Sequence, residues 1–347
     1  MRSVLRTAAL VAVLFAAALG AGAASWTVTD TLGRSIRLGQ VPQRIVLAGR
    51  ATLLLVDAVY LFPGASRRVV AVGATDQGLG DFFPILDPGA AGKVRLANAA
   101  GPEQVAAAHP DLVILKSFMK EKLGDPLEAV GIPVLYLDLE TPATFYADLK
   151  TLGDLFQQPE RAAAVVQWYR SRVDAVTKAV ASASRPSALI VQYSARDGVT
   201  SFTVPPSSWI QTTMTETAGA TAAWKETGPG DGWKKAGIEQ LSAWNPAYVF
   251  VVSYQQPASP LADQVRKAGL LKGTVLGFPS DFHSWDQADS RWILGLEWLA
   301  RILHPDLLAG LDLRSEVLSF YGQLYGLDEA TISAQVLPRL EGVLGGR

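Results

Sequence analysis

The sequence contains no cysteine in 347 residues. That absence excludes disulfides, thiolate zinc sites, iron–sulfur clusters, cysteine nucleophiles and a lipid-modified N-terminal cysteine. Histidine is nearly as scarce, with three residues, and neither sign of charge is in excess: 31 basic side chains stand against 32 acidic ones. Without Arg2 and Arg6 the remaining 29 basic groups leave −3, so no positive field exists to hold a phosphate backbone, and a nucleic-acid partner is excluded. The sequence also lacks an H-E-x-x-H pair, a paired carboxylate–histidine spacing and a G-x-S-x-G elbow, and Gly228-Pro229-Gly230 has no Lys-Ser ending of a phosphate-binding loop. The machinery of metallohydrolases, serine hydrolases and ATPases is therefore missing. What remains is the chemistry of oxygen, nitrogen and aromatic groups.

What is present describes a folded chain long enough for two domains, with 49% hydrophobic and 18% charged residues. Arg2 and Arg6, an apolar run from Ala8 to Leu19, and the small residues Ala21-Gly22-Ala23 read as a signal peptide over residues 1–23. The run is shorter than the roughly 20 residues a membrane span needs. The mature chain is expected to begin near Ala24 and to diffuse freely in a periplasm.

From Arg44 onward, short apolar runs alternate with helical patterns: Ile45–Ala48, Val69–Val72, Leu112–Leu115 and Val134–Leu137. Each is apolar at successive positions, as a parallel strand covered on both faces requires. Thr141-Pro142 reads as a helix start, and Pro159 restarts a helix. Apolar residues at Ala162, Val165, Val166, Tyr169, Val173, Val176 and Val180 then recur at spacings of three and four until Arg185-Pro186. The fold class expected is α/β: two Rossmann-like lobes with parallel sheets, residues 24–153 and 186–347 with terminal helices, joined by one long α-helix over 154–185.

Glu103–Leu115 aligns without gaps on Glu239–Val251, with five identities in thirteen. Both units run helix, proline, strand, and then a loop opening with serine and an aromatic, Ser117-Phe118 and Ser253-Tyr254. One such unit per lobe implies a pseudo-two-fold molecule.

The sequence also resembles the substrate-binding proteins of ABC importers for iron–siderophore complexes, haem and cobalamin. The resemblance rests on Asp30-Thr31-Leu32-Gly33-Arg34 with Pro42-Gln43-Arg44-Ile45-Val46, on Pro102-Glu103-Gln104 through Ile114, and on Gly153-Asp154-Leu155-Phe156 with Glu160-Arg161-Ala162. Further pieces are Glu239-Gln240-Leu241 with Pro246, and Ser284-Trp285-Asp286, Leu294–Ala300, His304-Pro305 and Phe320-Tyr321. It implies a shallow inter-lobe cleft, little closure on binding, and no resident cofactor, the metal chelate being cargo. The sequence departs from the family at Pro246-Ala247, where proline and aspartate are usual, and in a contracted segment around Leu271–Val275.

In open α/β sheets ligands bind beyond the carboxyl ends of the strands. The loops there offer Arg50, Thr75, Asp76, Lys116 and Phe118 in the first lobe, and Tyr193, Arg196, Tyr254, His283 and Trp285 in the second. Cations and rings together suit an anionic metal chelate, with Arg50, Lys116 and Arg196 as charge partners. A lone arginine is equally at home in solvent, and an aromatic beside a strand end can instead cap the core. His283 reads as a ligand contact or a metal ligand, whereas His109 and His304 precede prolines at helix–loop junctions. Glu103 and Glu239 stand near helix starts, where the helix dipole alone favours a carboxylate; the resemblance implies that they dock onto arginines of a permease dimer. The expected function is capture of a metal chelate, foremost a ferric siderophore, by a monomer that delivers it to an ABC importer. Haem, a corrinoid or molybdate and tungstate are the alternatives within the class. An exported chelate-modifying enzyme and a cell-surface adhesion or scaffold protein are the alternatives outside it.

Overall fold

The computed structural model of the chain describes residues 25–75, 77–196, 199–230 and 232–342, without the side chains of Arg196 and Val199. The expected signal peptide and Asp76 lie outside the described residues.

A hairpin of β1 (Trp26–Thr29) and β2 (Ser35–Leu38) precedes the first lobe. That lobe carries β3 (Ile45–Leu47), α1 (Thr52–Val59), α2 (Ala65–Arg68), β4 (Val69–Gly73), α3 (Phe83–Leu86), β5 (Val94–Leu96), α4 (Pro102–Ala106), β6 (Leu112–Lys116), α5 (Asp125–Ala129) and β7 (Val134–Leu137). Its five strands are all parallel in the order β5-β4-β3-β6-β7. The four apolar runs are the three inner strands β4, β3 and β6 and the edge strand β7, and β6 is buried at every position, as a sheet with both faces covered demands.

Two helices carry the chain across, α6 (Pro142–Phe156) and α7 (Pro159–Ala179). Thr141 caps α6 by accepting from the Thr144 amide, and Gln157 closes it in the left-handed conformation. The connecting helix is therefore 21 residues, about 31 Å at 1.5 Å per residue, shorter than the 154–185 reading because residues 154–158 end α6 and Val180 caps α7. Its spacing holds: Ala162, Val165, Tyr169, Val176 and Val180 are buried. It ties both lobes, since Arg161 donates to the carbonyls of Leu61 and Leu324 and the Tyr169 hydroxyl to that of Ser290, at 2.6 Å.

The second lobe comprises β8 (Ser187–Arg196), β9 (Val199–Val204), α8 (Ile210–Thr217), β10 (Thr221–Ala222), β11 (Lys234–Ala236), α9 (Ile238–Trp244), β12 (Tyr248–Val252), α10 (Ala258–Ala268), β13 (Thr274–Gly277), α11 (Trp292–Leu303), α12 (Leu313–Tyr325) and α13 (Glu329–Thr331). Its sheet is mixed: β8, β12, β13 and β10 pair in parallel, whereas β9 and β11 join antiparallel at one edge. The expectation of a second all-parallel sheet is corrected at that edge.

The internal repeat is visible in three dimensions. β6 lies between β3 and β7, and β12 between β8 and β13. The aligned residues His109 and Asn245, each before a proline, both adopt positive φ, 49° and 42°, the left-handed turn that lets a helix end feed a strand. Asp111 and its counterpart Ala247 make the same backbone bond, to the carbonyls of Arg44 and Ser187. The departure at Ala247 costs only the side-chain bonds that Asp111 makes to the amides of Gln43 and Arg44. The contracted segment before β13 is tight, since a Cβ on Gly273 would stand 2.3 Å from the Pro246 carbonyl oxygen.

The lobes meet through main chain as well as side chains. The amides of Gly78 and Leu79 donate to the carbonyls of Tyr254 and Phe282, at 2.9 and 2.7 Å, and Phe82 packs on Phe282 with centroids 5.0 Å apart.

Candidate functional site

A cavity of about 580 Å³ opens between the lobes. Arg50, Ala51 and Leu54 enter it from the turn between β3 and α1, Gln77 from beyond β4, Phe118 from beyond β6 and Glu140 from beyond β7. The facing wall holds Trp209, Ile210 and Gln211 at the start of α8, Tyr254 beyond β12, and Gln287 and Ala288 beyond β13. Every contributing strand presents its carboxyl end, as open α/β sheets do.

Charge in the cavity is arranged by three features. Arg50 is exposed and has no ion-pair or hydrogen-bond partner among the described residues. It sits in a turn where Gly49 and Ala51 both take positive φ, 87° and 55°, a strained arrangement for the alanine. The starts of α1 and α8 also border the cavity, and neither helix has a side-chain cap. The amides of Leu54 and Thr212 turn back onto the carbonyls of Ala51 and Trp209, and the amides ahead of them have no acceptor within their own helix, so both ends offer the cavity donor N–H groups and the positive pole of the dipole.

The aromatic wall is held from behind by Asp286. Its Oδ2 accepts from the Tyr254 hydroxyl at 2.8 Å and from Gln211 Nε2 at 3.1 Å, and its Oδ1 accepts from Ser284 at 2.6 Å. Burial raises the Asp286 pKa against those three donors, and the same burial, with Asp286 beside it, pushes the Tyr254 phenol well up. Trp233 stands between Trp209 and Tyr254 at 6.1 Å from each.

Of the residues selected from sequence, Arg50, Phe118 and Tyr254 line this cavity, Tyr193 lines a neighbouring one, and Thr75 borders a small pocket of about 50 Å³ beside it. Asp76 and the Arg196 side chain are outside the described residues. Three expectations of placement are corrected. Lys116 is fully buried, bonded to the Asp138 carbonyl and paired with Glu140 at 2.6 Å, so its ammonium is neutralised behind the wall. Trp285 is fully buried too, its indole donating to Asp281 at 3.0 Å, because α11 packs so closely on its backbone that a Cβ at Gly295 would lie 2.2 Å from the Trp285 oxygen. His283 is buried in an ionic cluster instead of facing the cleft.

That cluster joins the lobes. Nδ1 of His283 lies 3.1 Å from Asp57 of α1 and 3.1 Å from Asp289. Arg291 pairs with the same Asp57 oxygen and, through Nε, with Asp281 at 2.7 Å. Tyr321 donates to Asp281, and its ring and that of Phe82 cover the guanidinium. Burial opposes charge on His283, but the carboxylate of Asp57 and the bond to Asp289 outweigh it, and its pKa rises to about 9. Asp57, His283 and Asp289 gather donor atoms within 4.8 Å. The guanidinium of Arg291, 3.1 Å from His283 Nδ1, already supplies the positive charge a metal would bring.

Sequence reasoning missed Trp209, Gln211, Glu140 and Gln287. Pro205-Pro206 marks the loop that leads to α8, but β9 runs antiparallel to β8, so nothing in the sequence assigned that loop to the cleft.

Comparison with known proteins agrees with the architecture. The family model described as "Periplasmic binding protein" matches residues 54–274, more than half of the chain. The chain belongs to the periplasmic binding protein family. It is of the ABC-transporter type, and its relatives are substrate-binding proteins of the periplasm. The molybdate-binding protein MolA of Haemophilus influenzae is 25% identical over 346 residues, covering 91% of this chain and 95% of MolA. Its structure bound to molybdate superposes with a TM-score of 0.69 at 19% identity, over 87% of this chain and 98% of that one. A periplasmic solute-binding protein from Veillonella parvula gives 0.69 at 20% identity, over 90% and 97%. The Helicobacter pylori CeuE complex with nickel and histidine gives 0.68 at 16%, over 90% and 99%. At these identities the solved structures share the fold.

Proposed function

We propose that this periplasmic binding protein captures a compact metal-containing anion, an oxyanion of the molybdate or tungstate type, and delivers it without turnover to an ABC importer. The observation that carries this reading is the convergence of two uncapped helix starts, α1 and α8, with the guanidinium of Arg50, unpaired among the described residues, on one cavity. Such amides and a guanidinium together complement a small dianion. The similarity to the molybdate-binding protein of Haemophilus influenzae supports the same ligand class.

A ferric siderophore is the second reading, favoured by the rings of Phe118, Trp209 and Tyr254 around a cavity of about 580 Å³. With Lys116 neutralised by Glu140, Arg50 is left to balance a highly charged chelate, and the oxyanion is the better match. Delivery would use Glu103 and Glu239, both exposed and without an ion pair among the described residues. Each follows an N-cap glycine by two positions, and in each case Oε2 lies 3.2 Å from where a Cβ on that glycine would stand. Residues 1–23 would be removed on export, leaving a monomer.

The test is calorimetric titration of ligand-stripped protein with molybdate, tungstate, and ferric hydroxamate and catecholate chelates. Saturable heat with molybdate or tungstate, lost in Arg50→Gln, is expected. Heat with a ferric chelate alone would replace the oxyanion reading by the siderophore one.

A further inference from the structure

Beside the main cavity, and sharing its Gln77 and Tyr254, lies a second chamber of about 400 Å³. It opens at the carboxyl ends of β8 and β12 and along β9, and no Asp, Glu, Lys or Arg among the described residues borders it. Hydroxyls and amides line it instead, among them Ser194, Ser201, Ser253, Gln192 and Gln255. Tyr193 is the informative member. It is 8% exposed, its ring is fixed 5.3 Å from that of Phe202, and its phenol has no hydrogen-bond partner among the described residues. That hydroxyl opens onto the chamber, where a donating and accepting occupant would complete it.

We propose that this chamber binds an uncharged, hydroxyl-rich arm of the cargo, whose anionic head occupies the main cavity; the proposal rests on reading the main cavity as an anion site. A charged arm would be desolvated there with no counter-charge from the described residues. Side-chain amides and hydroxyls both donate and accept, which is the complement of a polyol. The faces of Tyr193 and Tyr254 supply apolar surface for its carbons. The wall common to both chambers, Gln77 and Tyr254, is what makes the occupant one ligand with two ends.

The probes are mannitol alone, molybdate alone, and molybdate equilibrated with mannitol, which yields anionic polyol complexes. Tyr193→Phe removes the hydroxyl and keeps the ring, and Ser253→Ala is a second, independent change. Saturation-transfer NMR should detect mannitol on the native protein, with a signal about threefold weaker in Tyr193→Phe and unchanged in Arg50→Gln. In calorimetry the complex should bind about tenfold tighter than molybdate, a ratio falling to about three in Tyr193→Phe while molybdate affinity holds. Absence of any mannitol signal that depends on Tyr193 overturns the subsite, whatever molybdate does. A signal that does depend on Tyr193, with the complex binding no tighter than molybdate, overturns the arm and leaves a site for free polyol. If molybdate and tungstate give no heat at all, the anion reading of the main cavity falls, and the mannitol measurement still decides the chamber.

Discussion

The imidazole of His283 and the carboxylate of Asp57 stand 3.1 Å apart although 226 residues separate them and each belongs to a different lobe. With Arg291 and Asp289 they form a buried ionic contact across the floor of the cleft. Removing one partner of such a group leaves an uncompensated charge, at a cost of about 3–5 kcal/mol. Asp57→Ala is therefore expected to lower the urea midpoint sharply, and a midpoint like that of the native protein would show the cluster to be energetically idle.

The same cluster makes stability depend on pH. His283 titrates at about 9 in the folded chain against 6.5 unfolded, so its contribution is complete below pH 6.5 and disappears as pH rises through about 9. The difference amounts to something on the order of 3 kcal/mol. The gap in unfolding free energy between native protein and His283→Gln should be wide at pH 6 and narrow by pH 10. A gap independent of pH would mean that the imidazole is not charged at neutrality.

Glu297 behaves in a related way for a different reason. Burial, with Glu316 nearby, raises its pKa from 4.5 to about 8 against the pull of Arg172, whose Nε is 3.8 Å away, and Oε2 has no partner. Its folded pKa exceeds its unfolded one, so stability falls between pH 4.5 and 8. Glu297→Gln should match the native protein at pH 4 and be more stable at pH 8.5, read as a higher melting temperature; a lower one there would contradict the upward shift of the carboxyl.

Lys116 and Glu140 test the electrostatics of the cavity wall. In Lys116→Met the Glu140 carboxylate would face an incoming anion without its counter-ion, and molybdate affinity should fall about tenfold. Adding Glu140→Gln should restore most of it. Equal losses in the single and double variants would trace the defect to packing instead of charge.

Glu103→Ala with Glu239→Ala should leave ligand affinity intact and abolish stimulation of the transporter's ATPase in reconstituted membranes. Unchanged stimulation would reduce both glutamates to helix-start residues favoured by the dipole.

Much of the scaffold was legible because buried parallel strands write themselves as unbroken apolar runs: β3, β4, β6, β7 and β12 all do. Strands β9 and β11 escaped, since Val199–Val204 alternates and Lys234–Ala236 begins with two lysines, the texture of an antiparallel edge. The loops of the cleft were legible as loops. Whether a side chain in them points outward depended on partners distant in sequence: Asp281 and α11 drew Trp285 inward, Asp57 drew His283, and Glu140 covered Lys116. Arg50 faces the cavity, and no described residue pairs with its guanidinium.

The two main-chain bonds from Gly78 and Leu79 to Tyr254 and Phe282 bear on how an importer would recognise its courier. Lobes stitched together by backbone are expected to close little on loading, so empty and loaded molecules would present nearly the same outline to the membrane. Unloaded copies would then compete for the same docking surface, and uptake should decline when the protein outnumbers its ligand.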